Sequence, residues 1–157
     1  MHFRSNSGIS RFGVAVVLFF LALISISAYV IILSSQVPTL QVSNVNLYPS
    51  EMMVSDHATL SFTIKNNDAS NQHNVTARFN VTNVTFYINN VGLYRDNNGV
   101  QYYDIQLQSS QQSTYNFKVI GTLTGGASKS TYQIRLNFYD ENDTKFGSET
   151  QSLTVNS

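Results

Sequence analysis

The sequence predicts an all-β domain that follows one apolar N-terminal helix. Residues 13–33 contain no charge and no proline, and about 21 helical residues at about 1.5 Å each reach the thickness of a membrane's hydrocarbon core. From Leu40 onward, apolar residues recur at every second position, as they do in half-buried β-strands. We therefore expect residues 1–12 to form a cytoplasmic tail, 13–33 a transmembrane helix, 34–39 a linker and 40–157 an extracytoplasmic β-sandwich.

The charges that flank the apolar stretch predict its orientation. Arg4 and Arg11 precede it, and the first charged residue after it is Glu51. Because Lys and Arg near a membrane end are retained on the cytoplasmic side, we expect the N-terminus inside the cell and the C-terminal domain outside. The alternative is a secretory signal cleaved near Ser27 or Ala28, although a signal's apolar region, about 7 to 15 residues, is shorter. The absence of a polar face argues against a buried core helix.

The composition narrows the classes of function. Setting aside Arg4 and Arg11 of the tail leaves seven basic against nine acidic residues, so the predicted outer domain is mildly acidic and has no basic patch. We therefore expect no nucleic-acid partner. The chain has no cysteine, which excludes disulfides, thiol catalysis and zinc–thiolate sites. A domain of about 120 residues must then be held together by its core.

The alternating segments predict seven or eight short strands. In the clearest one, residues 58–65, apolar side chains share one face and polar side chains the other. The remaining alternating runs lie near residues 40–47, 75–81, 84–88, 103–107, 115–119, 132–138 and 153–155. Turn residues separate them at 66–68, 97–99, 125–126 and 140–143, and residues 52–56 are interpreted as a connection. Strands without intervening helices predict an antiparallel sandwich of immunoglobulin-like type, here without that family's tryptophan and cysteine pair.

Two irregularities interrupt this pattern. The alternation breaks at Ser43 and Asn44, which predicts a defect in the first strand. It changes register near Thr82 and Asn83, which predicts either a bulge or a point where the chain crosses between sheets.

Four sequons in the predicted outer domain are candidate glycosylation sites, at Asn74, Asn80, Asn83 and Asn142. We expect Asn74 and Asn142 to lie in turns and therefore in solvent. The sequence does not decide between Asn80 and Asn83, which flank the change of register.

Other polar clusters have simpler interpretations than a reactive site. The acidic run 140–143 lacks the ligand spacing of a calcium loop, so we interpret it as a solvated hairpin turn. His57 and His73 stand next to turns without a nearby cysteine or second histidine, and we interpret both as surface residues. No nucleophile motif is present, so we expect no enzymatic activity, no catalytic residue, no metal site and no cofactor.

Several tyrosines fall off the apolar faces. Tyr87, Tyr94, Tyr102 and Tyr139 alternate with core positions instead of occupying them. Because exposed aromatic side chains are enriched at protein interfaces, these positions favour a contact surface.

The layout of the chain resembles the archaellum accessory proteins FlaF and FlaG. The features shared are a short basic tail, one N-terminal span, a tight linker and an Asn/Thr-rich sandwich containing the segment LSFTIKNND at 60–68. This resemblance covers essentially the full length and implies an immunoglobulin-like domain outside the cytoplasmic membrane. It also implies a stator role in which the protein joins the archaellum to the S-layer and associates with itself.

The sequence thus predicts a non-enzymatic cell-surface protein of an archaeal envelope, with the membrane, the S-layer or another envelope protein, and archaellum or pilus components as partners. One alternative is a type IV pilin-like filament subunit, in which residues 13–33 would form a filament core. The other rests on residues 62–139, which resemble LEA14-type domains and would make the protein a membrane-tethered module without a motor role.

Overall fold

The described residues of the N-terminal unit form one long helix. The structure is a computed structural model that describes residues 11–34 and 38–157, so most of the predicted tail and residues 35–37 of the linker lie outside it. Helix α1 spans Arg11–Ser34, slightly longer than the predicted 13–33. Nine apolar side chains between Val16 and Ile26 are 37–64% exposed and cover every side of the helix. Over the described side chains, no helix is both long and apolar enough to cross a membrane.

The C-terminal unit begins at Pro38 and is built of β-strands. In chain order they are β1 (Leu40–Tyr48), β2 (Glu51–Met53), β3 (Ala58–Asn66), β4 (His73–Asn80), β5 (Val84–Ile88), β6 (Val91–Gly92), β7 (Tyr94–Arg95), β8 (Gln101–Leu107), β9 (Gln112–Gly121), β10 (Lys129–Tyr139) and β11 (Lys145–Asn156). One sheet has the order β1-β3-β9-β5-β6, and the other has the order β2-β11-β10-β4-β8-β7. The prediction of an all-β domain made of two sheets is confirmed.

The pairing is antiparallel with one exception. Strand β2 runs parallel to the end of β11, with Met52 opposite Val155. The prediction of a purely antiparallel sandwich is therefore wrong at this pair, and so is the interpretation of residues 52–56 as a connection. Three residues with one buried side chain are too few for a period of two to be read from the sequence.

Both predicted irregularities are present. The register between β1 and β3 shifts between Ser43 and Asn46, and Asn44 has a φ of 53°, so the first strand contains a bulge. The change of register near Thr82 marks the passage from β4 in the six-stranded sheet to β5 in the five-stranded sheet. Of the two explanations that the pattern allowed there, the crossing between sheets is the one observed.

The core lies between the sheets and is rich in phenylalanine. The predicted inward face of β3 is fully buried, and Phe62 stands at its centre. Its ring stacks on Phe117 at 5.4 Å and meets the edge of Phe138 at 5.0 Å, so it joins side chains of both sheets. Buried aromatic side chains dominate core energetics, and each favourable pair adds about 0.5–1.5 kcal/mol beyond the area it buries.

A buried glutamine ties the two sheets together by hydrogen bonds. Gln101 on β8 is 1% exposed and reaches the backbone of β5 in the opposite sheet. Its Oε1 accepts the N–H of Phe86 at 3.0 Å, and its Nε2 donates to the carbonyl of Val84 at 2.7 Å. The side chain thus satisfies backbone groups on the side of β5 that faces away from β9.

Replacing Gln101 by leucine should destabilise the domain. Two buried backbone groups of β5 would lose their partners, at about 1–3 kcal/mol each, so we expect a loss of about 2–6 kcal/mol. Gln106→Leu on the same strand is the matched control, because Gln106 is exposed, and its change should stay within about 0.5 kcal/mol. Urea unfolding of residues 38–157, followed by circular dichroism, measures both. Equal stability of the two variants would show that the Gln101 bonds contribute little.

Candidate functional site

The outward surface of the six-stranded sheet, which we call the polar face, carries side chains that can form hydrogen bonds in register across its strands. Tyr94, Tyr102, Arg78 and Asn137 stand side by side on β7, β8, β4 and β10. Beside this row, Asn80 on β4 is opposite Arg135 on β10. Two open recesses of about 560 and 510 Å³ lie along this face, and Asn80 and Gln133 line both of them.

Arg78 is held at the centre of the polar face. Its guanidinium carbon is 4.5 Å from the centroid of the Tyr139 ring, and its Nη2 donates to Asp143 Oδ1 at 2.9 Å. Nearby, the Thr76 hydroxyl donates to Asp104 Oδ1 at 2.7 Å. An exposed cation–π contact contributes about 0.5–1 kcal/mol. These contacts order the long side chains, so this surface is polar and largely pre-arranged.

A second polar cluster lies where the chain enters the domain, which we call the Pro38 end. Asn67 donates through its backbone N–H to the Thr39 carbonyl at 2.7 Å and through Nδ2 to the Pro38 carbonyl at 2.9 Å. Its neighbour Asn66 is fully buried, and its Nδ2 donates to the carbonyls of Asn71 and Gln108. The β3–β4 loop therefore holds the first described residues of the domain in place.

His73 bridges two carboxylates in this cluster. Its Nδ1 is 2.8 Å from Glu141 Oε1, and its Nε2 is 3.4 Å from Asp68 Oδ2. An ionised carboxylate only accepts hydrogen bonds, so this geometry fits the imidazolium form, in which both ring nitrogens donate. The bridge joins the β3–β4 loop to the β10–β11 hairpin.

The pKa values of these groups shift in agreement with this geometry. Burial alone would lower the pKa of His73, but the hydrogen bonds that it donates to Glu141 and Asp68 and the negative charges of these two groups outweigh burial and raise that pKa above 6.5. Hydrogen bonds from the Asn71 side chain and from the Ser70 and Asn71 backbone hold the pKa of Asp68 well below its usual range. Both shifts favour the charged pair over the neutral one.

The structure agrees with the interpretations of His57 and of the acidic run but not with that of His73. His57 is exposed beside the β2–β3 turn, as predicted, whereas His73 is half-buried and ion-paired, so its interpretation as a plain surface residue is wrong. The acidic run is a hairpin turn, as predicted, in which Asp140 Oδ1 accepts the N–H groups of Asn142 and Thr144. Among the described residues, no group of three or more His, Cys, Asp or Glu side chains is arranged to hold a metal ion.

The fold separates the four candidate glycosylation sites. Asn74 and Asn80 both belong to β4 and point outward on the polar face, and Asn142 lies in the β10–β11 turn. The prediction of a turn is thus wrong for Asn74, which is nevertheless exposed, and confirmed for Asn142. Asn83 occupies the crossing between the sheets, with a φ of 59°.

The off-face tyrosines lie outside the core, as predicted. Tyr94 is 75% exposed, and Tyr87, Tyr102 and Tyr139 are half-buried. Three of the four belong to the polar face, where Tyr94 and Tyr102 have ring centroids 6.1 Å apart. The contact of His73 with Glu141 and the inward Gln101 were not foreseen, because these contacts join residues that are 68 and 15 to 17 positions apart in the sequence.

Comparison with known proteins gives partial structural matches. No protein-family model matches the sequence, and neither does any curated protein. Among solved structures, the alkylpurine DNA glycosylase AlkC of Pseudomonas fluorescens is 11% identical with a TM-score of 0.45, over 76% of this chain and 31% of that chain. The exo-chitosanase CsxA of Amycolatopsis orientalis is 14% identical with a TM-score of 0.44, over 73% of this chain and 12% of that chain.

A β-glucosidase from Listeria innocua is 11% identical with a TM-score of 0.42, over 75% of this chain and 16% of that chain. The chain therefore spans between 12% and 31% of the length of these three proteins. With TM-scores below 0.5, these likenesses carry no inference about the activity of this chain.

The bridge formed by His73 should make stability depend on pH near neutrality. Because the folded-state pKa is raised, its contribution is fully present below the ordinary value of 6.5 and is lost as pH rises through the folded-state pKa. His73→Gln should be less stable than the parent at pH 5.5, and the difference should shrink towards pH 8.5. Thermal unfolding of residues 38–157 across this range measures the effect.

His57→Gln is the matched control for this experiment. His57 is exposed and makes no ion pair with the described carboxylates, so this variant should keep the pH dependence of the parent. A difference between His73→Gln and the parent that stays constant from pH 5.5 to 8.5 would contradict a protonated bridge.

Proposed function

We propose that the chain is a non-enzymatic, membrane-anchored interaction protein of the cell surface. Helix α1 is the anchor, and the β-domain outside the membrane contacts other envelope proteins. The observation that carries this proposal is the apolar surface of α1, which is exposed on every side between Val16 and Ile26. A helix that is apolar all round requires an apolar environment, which a bilayer or a bundle of like helices provides.

The strand order supports an immunoglobulin-like architecture for the outer domain. In the five-stranded sheet, β1-β3-β9-β5 corresponds to the A-B-E-D order, and in the other sheet β11-β10-β4-β8 corresponds to G-F-C-C′. The chain departs from that plan because it reaches β5, in the D position, before β8, in the C′ position. Domains with this architecture commonly serve as contact modules on cell surfaces.

The specific role that we propose is that of an archaellum stator component that contacts the S-layer. Its support is the layout shared with FlaF and FlaG, together with the short tether. Residues 34–39 separate the predicted span from β1, and Asn67 fastens Pro38 and Thr39 to the domain. A linker this short in sequence suits a protein that bridges a membrane and an adjacent protein layer.

The second candidate is a subunit of a pilin-like filament. The same exposed apolar helix favours it, because α1 could pack against copies of itself in a filament core. A third candidate, a tethered LEA14-like domain, shares the anchor and differs in having no motor partner. These roles are distinguished by where the chain is located, by whether shear releases it from cells, and by its mature N-terminus.

The anchor is tested by placing a charge in α1. We expect the full chain to float with membranes after an alkaline carbonate wash. Leu21→Arg should move a large fraction to the soluble phase, because arginine near the centre of a span costs about 2.5–3.5 kcal/mol. Leu21→Phe is the matched control and should remain with the membranes. A wild-type chain that is soluble in the same wash would overturn the proposal.

The roles are separated by two further measurements on the full chain. Mass spectrometry of the mature N-terminus should find it intact or lacking only Met1, whereas cleavage near Gly13 would favour the filament and cleavage near Ala28 a secreted domain. The chain should also be retained on immobilised S-layer protein and remain on cells after shearing. A chain that is not retained on S-layer protein and does not associate with itself would count heavily against the stator role.

A further inference from the structure

The four sequon asparagines differ in their exposure and in the hydrogen bonds that they make. A sequon is modified at the side-chain amide nitrogen of asparagine, which must reach solvent. Asn74, Asn83 and Asn142 are exposed, and Asn80 is half-buried but lines the open recesses of the polar face. The hydrogen bonds of their side chains, and not exposure, therefore separate Asn83 from the other three, as the amides of Asn74, Asn80 and Asn142 show. Within the part of the chain that the structure describes, none of these three side-chain amides makes a hydrogen bond. Each of them is available for modification.

Asn83 is held by the crossing between the sheets. Its carbonyl accepts two hydrogen bonds from Thr122, from the backbone N–H at 3.1 Å and from the hydroxyl at 3.2 Å. Its amide nitrogen lies 3.5 Å from the Thr124 hydroxyl. The next residue, Val84, is buried and accepts a hydrogen bond from Gln101. Asn83 is exposed, so what distinguishes it from the other three is a fixed backbone and an amide with a hydrogen-bond partner, not burial.

We propose that Asn74, Asn80 and Asn142 carry N-linked glycans and that Asn83 does not. This inference rests on the proposed export of the domain. The glycan donor is an oligosaccharide linked through phosphate to a lipid. A bond forms between the asparagine Nδ2 and the sugar C1, the bond between C1 and the phosphate oxygen breaks, and Nδ2 releases a proton.

The three sites lie on one side of the domain. Residues 74 and 80 are six positions apart on β4, so their side chains share the polar face. Asn142 lies in the hairpin that Arg78 and His73 tie to this sheet through Asp143 and Glu141. The glycans would therefore cover the outward surface of the six-stranded sheet, and the outward surface of the other sheet would carry none.

Tryptic peptides of the full chain, purified from cells that export it, test the assignment. Cleavage after Lys65, Arg78, Arg95, Arg135 and Lys145 places Asn74 in residues 66–78, Asn80 and Asn83 together in 79–95, and Asn142 in 136–145. We expect a glycan mass on all three peptides. Fragmentation that leaves the glycan attached should place it on Asn80 in the middle peptide. A glycan on Asn83, or three unmodified peptides, would overturn the proposal.

Substitutions of the sequon hydroxyls separate the overlapping sites without changing either asparagine. Thr82 serves Asn80, and Thr85 serves Asn83. Thr82→Ala should remove the glycan from residues 79–95, whereas the matched control Thr82→Ser and the variant Thr85→Ala should keep it. Loss of the glycan in Thr85→Ala with retention in Thr82→Ala would reverse the assignment.

A separate readout distinguishes failure of glycosylation from failure of export. The chain has no cysteine, so Ser128→Cys, in an exposed loop, introduces a unique thiol. A membrane-impermeant maleimide should label this variant on intact cells. A labelled chain whose asparagines are all unmodified overturns the glycosylation and leaves the export standing. An unlabelled chain on intact cells overturns the proposed function and, with it, the modification that depends on it.

Discussion

The domain depends on the contact of phenylalanine rings across the two sheets. Phe62, from the five-stranded sheet, lies within 6.5 Å of Phe79 and 5.0 Å of Phe138, both from the six-stranded sheet, measured between ring centroids. The chain has no cysteine, so no disulfide fixes the distance between the sheets. The interlocked rings take that role, because dense packing of large apolar side chains allows few alternative arrangements.

This core explains how much of the fold could be predicted from the sequence. Each of the eight strands with five or more residues contributes inward side chains to it, and a buried face with polar neighbours produces a period of two. The bulge at Asn44 and the crossing at Asn83 were visible for the same reason. Both interrupt that period at residues that tolerate left-handed backbone conformations. Patterning therefore revealed the strands and their breaks.

The features that were not predicted are those that leave no alternation of apolar and polar residues in the sequence. Strand β2 has three residues and β6 and β7 have two each, which is too short for a period to appear. The first half of β11, residues 145–150, has no buried side chain and therefore no apolar alternation. Pairing partners and the direction of a short strand depend on tertiary contacts, which a single sequence does not display.

In the candidate site too, features formed by neighbouring residues could be predicted, whereas contacts between residues far apart in the chain could not. The sequons, the outward tyrosines and the acidic turn are local, and all of them were visible in the sequence. The bridge from His73 to Glu141 joins residues 68 positions apart, and Gln101 reaches a strand 15 to 17 positions earlier. Only the fold brings these partners together, so neither the imidazolium nor the buried glutamine could be recognised from spacing.

The many asparagines of this chain have two physical roles that composition alone does not separate. Asn44, Asn83, Asn89 and Asn90 have positive φ values, so their selection follows from a backbone conformation that most side chains disfavour. Asn80 has no such backbone demand, and its amide faces an open recess. The amide of Asn83 has the Thr124 hydroxyl as a neighbour at 3.5 Å, whereas among the described residues the amides of Asn80 and Asn142 make no hydrogen bond. The overlapping sequons at residues 80 and 83 thus look alike in sequence and differ in what the fold permits.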